Sequence, residues 1–469
     1  MNASGYIPRW WTAALWITGA TLLLGYLAFY NGFPLLYPDT GTYIESGFSG
    51  KVPIDRPIFY GLFIRHISLA ESPWLVIMAQ NVLLAWLIWL TVARFIRSAR
   101  VGYYYIGIVF VLAMTTQVSY YSNLLIADIF TPMAFLSAFH LAFWEEHRWP
   151  RRVFLVVLVA FSLMSHLSNF PTILISMAVS LLVAWWLRKR RPAPFQRLSV
   201  AILSAVVLVS LLAVPLINAA IDGKFRYAEG GSVFMTNRLR DLDLVKEFLD
   251  AACPTEDWKL CPYKDELYGD FLWAMDYSPL YKIGGWEANF DEFSRMNRRI
   301  LMHPGRLLKF SRATFEEGIR QLFVFQVPAA GPMLEESAAG NALKFRFPHS
   351  LRGMLAAKQI RNDMDFKDLN KRQVWMVVGS MAMLFLLAVD RKRFLRLPDG
   401  LRWFMLTLSL FILANDFICA SLSNIDPRYM GRLAWLLPMT AMVIAAFYVE
   451  KYGLPDRLRA WLDAGKQKG

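Results

Sequence analysis

Four short stretches of this sequence bring together acids, a base and cations in a form that could do chemistry. Tyr37-Pro-Asp-Thr-Gly-Thr-Tyr43 sets Asp39 in a turn-prone context, and Asp55-Arg56-Pro57 follows it. Ile126-Ala-Asp-Ile-Phe-Thr-Pro132 carries Asp128, and Ser165-His-Leu-Ser-Asn-Phe-Pro171 carries His166. Asn424-Ile-Asp-Pro-Arg-Tyr-Met-Gly-Arg432 carries Arg428, Tyr429 and Arg432. A carboxylate can take the proton of an attacking hydroxyl or amine. Arginine matches phosphate oxygens in a bidentate geometry that lysine does not reproduce. A second carboxylate or a histidine can orient an acceptor, or hold a divalent metal such as Mg or Mn through oxygen ligands. These are the components that sugar transfer from a lipid phosphate needs. Each has a plainer alternative: Asp39 and Asp128 as helix caps, Arg56 as the surface partner of Asp55, His166 as a structural residue bonded to Ser165 or Ser168, and Arg428 and Tyr429 as interfacial anchors.

The elements that must position these groups are membrane helices. The chain is 56% hydrophobic and 18% charged, where a soluble domain carries about 25% charged residues. Its apolar residues gather in runs near the length that crosses a hydrocarbon core of ~30 Å. The runs predict about ten spans, at 11–31, 73–95, 103–118, 129–144, 153–169, 171–187, 198–218, 374–390, 403–422 and 433–449. The first run is longer than a signal-peptide core and lacks a small-residue cleavage site, so it reads as a retained helix. Trp10, Trp11, Trp74, Trp375 and Trp403, at span ends, read as an aromatic belt. Asn415 and Asp416 fall inside a span, where a charge is costly unless paired, so pairing with an arginine across the bundle is expected.

The net charge of +14 raises the question of a polyanionic partner. Between Asp222 and Arg372 the chain has 23 Lys and Arg against 22 Asp and Glu, so nearly all the excess lies in the membrane part. There it clusters at Arg94/Arg97/Arg100, Arg148/Arg151/Arg152, Arg188–Arg191 with Arg197, Arg391–Arg393 with Arg396, and the tail from Lys451 to Lys468. Every cluster abuts an apolar run, as the positive-inside rule requires, and no nucleic acid is needed to explain it. With both termini cytoplasmic, 22 of the 27 basic residues outside the 222–372 region fall inside. The four chemical stretches then share the outer face.

This reading gives an all-α transmembrane bundle with an inserted, mainly α extracytoplasmic domain. Residues 1–218 form a module of about seven spans with a first outer loop at 32–72. Residues 219–373 form the outer domain, and 374–469 a module of about three spans with a cytoplasmic tail. In the outer domain Leu301, Leu307, Leu308 and Phe315 with Trp286 suggest an apolar seam against the membrane surface. Cys253 and Cys261 are candidates for a disulfide closing a short loop in an oxidising compartment, with two free thiols as the alternative. No further Cys or paired His lies close enough to make a zinc site. Cys419, inside an apolar run, reads as a small core residue.

The first-loop Tyr-Pro-Asp-Thr-Gly-Thr-Tyr followed by Arg56-Pro-x-x-Tyr-x-x-Phe63 resembles the first-loop region of the GT-C glycosyltransferase superfamily. That superfamily includes the protein O-mannosyltransferases and the lipid A aminoarabinose transferases. Ala127-Asp-Ile-Phe130 is similar to its second acidic position. Asp426-Pro-Arg-Tyr-x-x-Arg-Leu-Ala-Trp-Leu-Leu-Pro438 is similar to the Arg-Tyr element before its last helices. The resemblance covers about a third of the chain in scattered pieces. It implies a polyprenyl-phosphate-linked sugar donor and inverting transfer to a lipid, glycan or protein acceptor on the outer face of a bacterial inner membrane. Asp39 would be the catalytic acid of the first loop acting as general base, Asp128 the second acid, and Arg428 a contact to the donor phosphate. Arg56, Tyr429 and Arg432 are expected to bind that phosphate, and His166 is expected to be catalytic together with the two acids. Two features depart from the pattern: Asp39 stands without an adjacent acid, and the soluble domain is internal. Two rival classes are a secondary transporter or lipid flippase, and an O-antigen ligase or polymerase. The first predicts broken helices at the midplane and repeat symmetry. The second would place its chemistry in the large loop, at Arg295, Arg298, Arg299 and His303.

Overall fold

The structure is a computed structural model that describes residues 10–143, 149–188, 195–328 and 335–453. Arg9, Arg148, Lys189–Arg191, residues 329–332 of the Pro328–Pro332 break, and the tail beyond Gly453 lie outside the described residues. Among the described residues there is no strand, and one isolated parallel bridge joins Leu35 to Leu124. The N-terminal module runs α1 (Trp10–Leu24), α2 (Tyr26–Asn31), α3 (Thr40–Ser49), α4 (Phe59–Ile67), α5 (Pro73–Phe95), α6 (Val101–Thr115), α7 (Val118–Asn123), α8 (Phe130–Ala142), α9 (Trp149–Ser165), α10 (Asn169–Leu187) and α11 (Arg197–Asp222). The insertion holds α12 (Gly231–Asp241), α13 (Leu244–Ala252), α14 (Pro279–Lys282), α15 (Phe290–Met302), α16 (Pro304–Gln321), α17 (Ala338–Arg346) and α18 (Leu351–Leu355). The chain closes with α19 (Lys367–Val389), α20 (Arg391–Phe394), α21 (Asp399–Leu422), α22 (Pro427–Ala434) and α23 (Leu436–Tyr452).

Among the described residues six helical stretches are long and apolar enough to cross a membrane: α5, α10, α11, α19, α21, and α22 with α23 counted together. Three shorter apolar helices accompany them, at Trp10–Leu24, Val101–Thr115 and Ala127–Ala142. The chain is thus a multi-pass α-helical membrane protein in the length and composition of its helices. Local sequence sets the helix ends. Ser72 accepts the Trp74 N–H ahead of Pro73 at the first helical position of α5, and Asp426 accepts the Arg428 N–H ahead of Pro427 in α22. The run at 11–31 is broken at Gly25 into α1 and α2, which stop at Gly32 in a left-handed conformation (φ +82°).

The 219–373 segment has no single core. Residues between Val233 and Ile300 bury one of their own, closed by a disulfide between Cys253 and Cys261. Phe325, Val327, Leu343, Phe347, Met354 and Phe366 belong instead to the core of the membrane bundle. The expected seam divides in the same way. Trp286 and Leu301 pack with the inserted core, while Leu307, Leu308 and Phe315 are exposed on α16. Trp403 departs from the aromatic-belt expectation: it is buried, with its ring against Phe195 and Phe143.

A candidate anion site built from two acids and three arginines

Two loops distant in sequence are stitched together before any charged group enters. Leu35 donates its N–H to the Asn123 carbonyl at 2.9 Å and accepts from the Leu125 N–H at 3.0 Å. Four residues after each bridge partner stand Asp39 and Asp128. Thr40 adds a second stitch, its hydroxyl donating to the Leu125 carbonyl at 3.1 Å. Two buried glutamines, Gln359 and Gln80, hold the same loops, and a third, Gln321, holds the loop that carries Arg428. Gln359 accepts the Leu36 N–H at 2.9 Å and donates to the Leu36 carbonyl at 2.7 Å. Gln80 donates to the Ser122 and Leu124 carbonyls and accepts from the Tyr60 hydroxyl. Gln321 makes the reciprocal pair with the Asp426 backbone, at 2.8 and 2.9 Å. None of these was marked by sequence reasoning. Gln80-Asn81 carried a signal, being an amide pair inside an apolar run, whereas Gln359 and Gln321 lie in mixed sequence that gives none.

On this frame six of the sequence-predicted residues meet. Arg428 spans both acids: its Nη1 donates to Asp39 Oδ2 at 2.8 Å, and its Nε and Nη2 grip the two Asp128 oxygens at 2.8 Å each. Arg56 lies on the other side of Asp39, with Nη2 at 3.2 Å from Oδ1 and Nη1 at 3.1 Å from Oδ2, and it also binds Asp55 at 2.5 Å. The two tyrosines of the first-loop motif carry the cations, Tyr37 under Arg428 at 5.0 Å and Tyr43 under Arg56 at 4.9 Å. Arg432, fully buried, gives Nη1 to Asp128 at 3.3 Å and to His166 Nε2 at 3.0 Å. Three aspartates thus face three arginines.

Accessibility separates the two acids. The Asp128 side chain is wholly buried and that of Asp39 is 20% exposed, so Asp39 is the one a ligand can reach. The helix-cap alternative does not describe Asp39, which stands at the N-cap of α3 without a side-chain cap bond. Burial alone would raise the Asp39 carboxyl, but Arg428 and then Arg56 outweigh it and hold it below the usual carboxylate range. His166 is fixed in one tautomer. Arginine only donates, so Nε2 accepts from Arg432 and Nδ1 carries the hydrogen toward Ser168 Oγ, 2.9 Å away. In this arrangement His166 orients Arg432 and has no free lone pair for a proton.

The expected pairing of Asn415 and Asp416 with an arginine holds for Asn415 alone. Arg432 Nη2 donates to its Oδ1 at 2.8 Å, whereas Asp416 Oδ1 accepts from Asn415 Nδ2. Asn415 thus stands between the two, its Oδ1 on Arg432 and its Nδ2 on Asp416. Tyr429 presents its ring to Arg432 at 5.7 Å, but its hydroxyl donates to Ser423. Arg299 pairs with Glu256 in the inserted domain, and His303 is exposed ahead of α16, so the ligase-type residues join no part of this cluster. Among the described residues no group of three or more His, Cys, Asp or Glu is placed to hold a metal. The oxygens of Asp39 and Asp128 already face guanidinium groups, a donor set that does not fit Mg or Mn.

No family model, curated protein or solved structure matches this chain.

A partly open apolar pocket of about 60 Å³ lies between α8, α10, α11 and α21. Phe135, Ile173, Ser176, Thr407 and Phe411 are among its walls. Asn415, which holds Arg432, stands one turn along α21 from Phe411.

Proposed function

We propose that this protein is a membrane glycosyltransferase of the GT-C kind. It would move a sugar from a polyprenyl-phosphate donor to an acceptor on the outer face of a bacterial inner membrane. In this reading ten helices cross the bilayer, both termini are cytoplasmic, and the insertion is periplasmic. The asymmetry of the basic loops supports that orientation. The observation that carries the reading is Asp39, a reachable carboxylate held between Arg56 and Arg428, cations brought from two loops far apart in sequence.

The chemistry follows from what a phosphate would do there. Its oxygens compete with Asp39 for the donors of Arg56 and Arg428. Asp39 loses part of the attraction that lowers its basicity and becomes able to accept a proton. The acceptor hydroxyl or amine attacks the anomeric carbon, the bond from that carbon to the phosphate oxygen breaks, and its electron pair leaves with the lipid phosphate. The arginines stabilise that leaving charge, and the acceptor proton passes to Asp39. Asp128, with Arg432 and His166 behind it, keeps Arg428 in place when its bond to Asp39 loosens. No step needs a metal ion.

The test is transfer of label from a panel of polyprenyl-phosphate sugars by the purified protein, with membrane extract as acceptor. Label moved by the wild type from one donor supports the reading. Flipping of labelled lipid between leaflets without any transfer would replace it with the transporter.

A further inference from the structure

We infer that α16 lies in the membrane interface, with one face in the acyl chains of the leaflet next to the charged cluster. The helix is amphipathic in a specific way. Phe310 packs toward the inserted core, and Arg306 and Lys309 reach Glu247 of α13. Gly318 sits against the Phe417 ring of α21, where a Cβ would come within 2.8 Å. The remaining face shows Leu308 at 71%, Phe315 at 61% and Ile319 at 40% exposure, with Met302 and Phe323 beyond the two ends. Residues 308, 315 and 319 fall on one stripe at helical spacing. Arg312 falls within this stripe, one turn from Leu308, so the face is apolar around a single cation whose long side chain can snorkel, as on an element that lies in the interface plane.

What covers that face follows from depth. Phe417 lies five residues before the end of α21 at Leu422, or about 8 Å along the axis. Twenty-four helical residues span about 36 Å against a hydrocarbon core of ~30 Å, which puts Phe417 about 5 Å inside the core boundary. Phe315 and Gly318 both meet Phe417, so this part of α16 shares its depth. At that depth the surroundings of an outward-facing Phe315 or Ile319 are acyl chains. The C-terminal end of α16 then rises to the boundary, where Gln321 holds the Asp426 backbone just past α21. Arg312, paired with Glu316, can reach back to the headgroups.

This placement also ties the bilayer to the charged cluster. Asp426, held by Gln321, is the residue whose carboxylate accepts the Arg428 N–H. The depth of α16 therefore sets the loop that aims Arg428. The inference is independent of which reaction, if any, that cluster performs.

The test uses the full chain in lipid nanodiscs of phosphatidylethanolamine and phosphatidylglycerol. Leu308→Cys, Phe315→Cys and Ile319→Cys are made singly and nitroxide-labelled, with Asp291→Cys, at an exposed position of α15, as the aqueous control. The native cysteines do not interfere, because Cys419 is buried and the other two are bonded to each other. Collisions with oxygen, which concentrates in acyl chains, are compared with those of a water-soluble nickel chelate. The expected result is oxygen dominant at all three α16 positions and nickel dominant at 291. Nickel dominant on α16 would show a face in water and overturn the inference. Low accessibility to both reagents would show a protein surface over the face and overturn it equally.

Discussion

The chain uses ion pairs in two places to opposite ends. In the inserted domain Lys246, Asp250, Lys264 and Asp265 form an open string, and Lys282 pairs with Glu266, all in water. Pairs of that kind contribute little to stability and tolerate exchange. In the bundle Asp39, Asp128, Arg56, Arg428 and Arg432 pair with little or no water around them. Taking such charges out of water is costly, and the cost is offset only if each keeps its partners. The inserted domain keeps its shape with an apolar core and a disulfide, whereas the cluster is held by bridges and amide clamps. The contrast teaches that position in the membrane, not charge pairing itself, marks the candidate site.

Breaking the cluster at its centre should have the largest effect. Arg428→Met leaves Asp128 with Arg432 alone and Asp39 with Arg56 alone. We expect a loss of about 3–5 kcal/mol of stability, read by thermal unfolding in detergent. Arg428→Lys keeps a charge but loses the three-way fork, and transfer should fall about 10²–10³-fold with the fold retained. The frame comes next. A Cβ at Gly41 would lie 2.4 Å from the Ala338 carbonyl, so Gly41→Ala must push α3 off α17. The expected cost is about 1–3 kcal/mol, with a loss of transfer larger than that stability change alone would give. Gln359→Ala leaves both Leu36 backbone groups without their partner and should cost about 1–3 kcal/mol.

Two smaller effects sharpen the comparison. Cys253→Ser with Cys261→Ser should cost about 2–3 kcal/mol in the unfolding of the inserted domain and leave the transfer rate unchanged. Arg56→Gln removes one of the two phosphate-facing cations, so it should lower transfer and also shift its pH dependence. The Asp39 carboxyl is held below its ordinary value in the folded chain. Its contribution to stability is therefore fully present above that ordinary value and is lost as pH falls through the lowered one. Removing Arg56 weakens the depression, so both this loss and the acid limb of the transfer profile should move to higher pH.

Much of the helix layout was legible because apolar runs of membrane length have few alternatives. The run at 73–95 coincides with α5, whereas 11–31 conceals the break at Gly25, where the apolar signal continues through a turn. The composition of the cluster was legible too, since Asp39, Arg56, Asp128, His166, Arg428 and Arg432 are all charged or polar residues beside apolar runs. Their connectivity was not, because Arg428 and Asp128 are 300 residues apart and nothing local pairs them. Gln359 and Gln321 were illegible for a related reason: an amide that clamps backbone looks the same in sequence as one in solvent. Residues 219–373 read as one domain because composition cannot say which apolar residues face which core.

The most direct test of the central claim compares Asp39→Asn with Asp250→Asn in the transfer assay, each checked for an intact fold. The account expects transfer to fall by about 10²–10⁴-fold when Asp39 loses its charge and to stay at the wild-type rate when Asp250 does. Equal transfer by wild type and Asp39→Asn would contradict it and remove this cluster from the reaction.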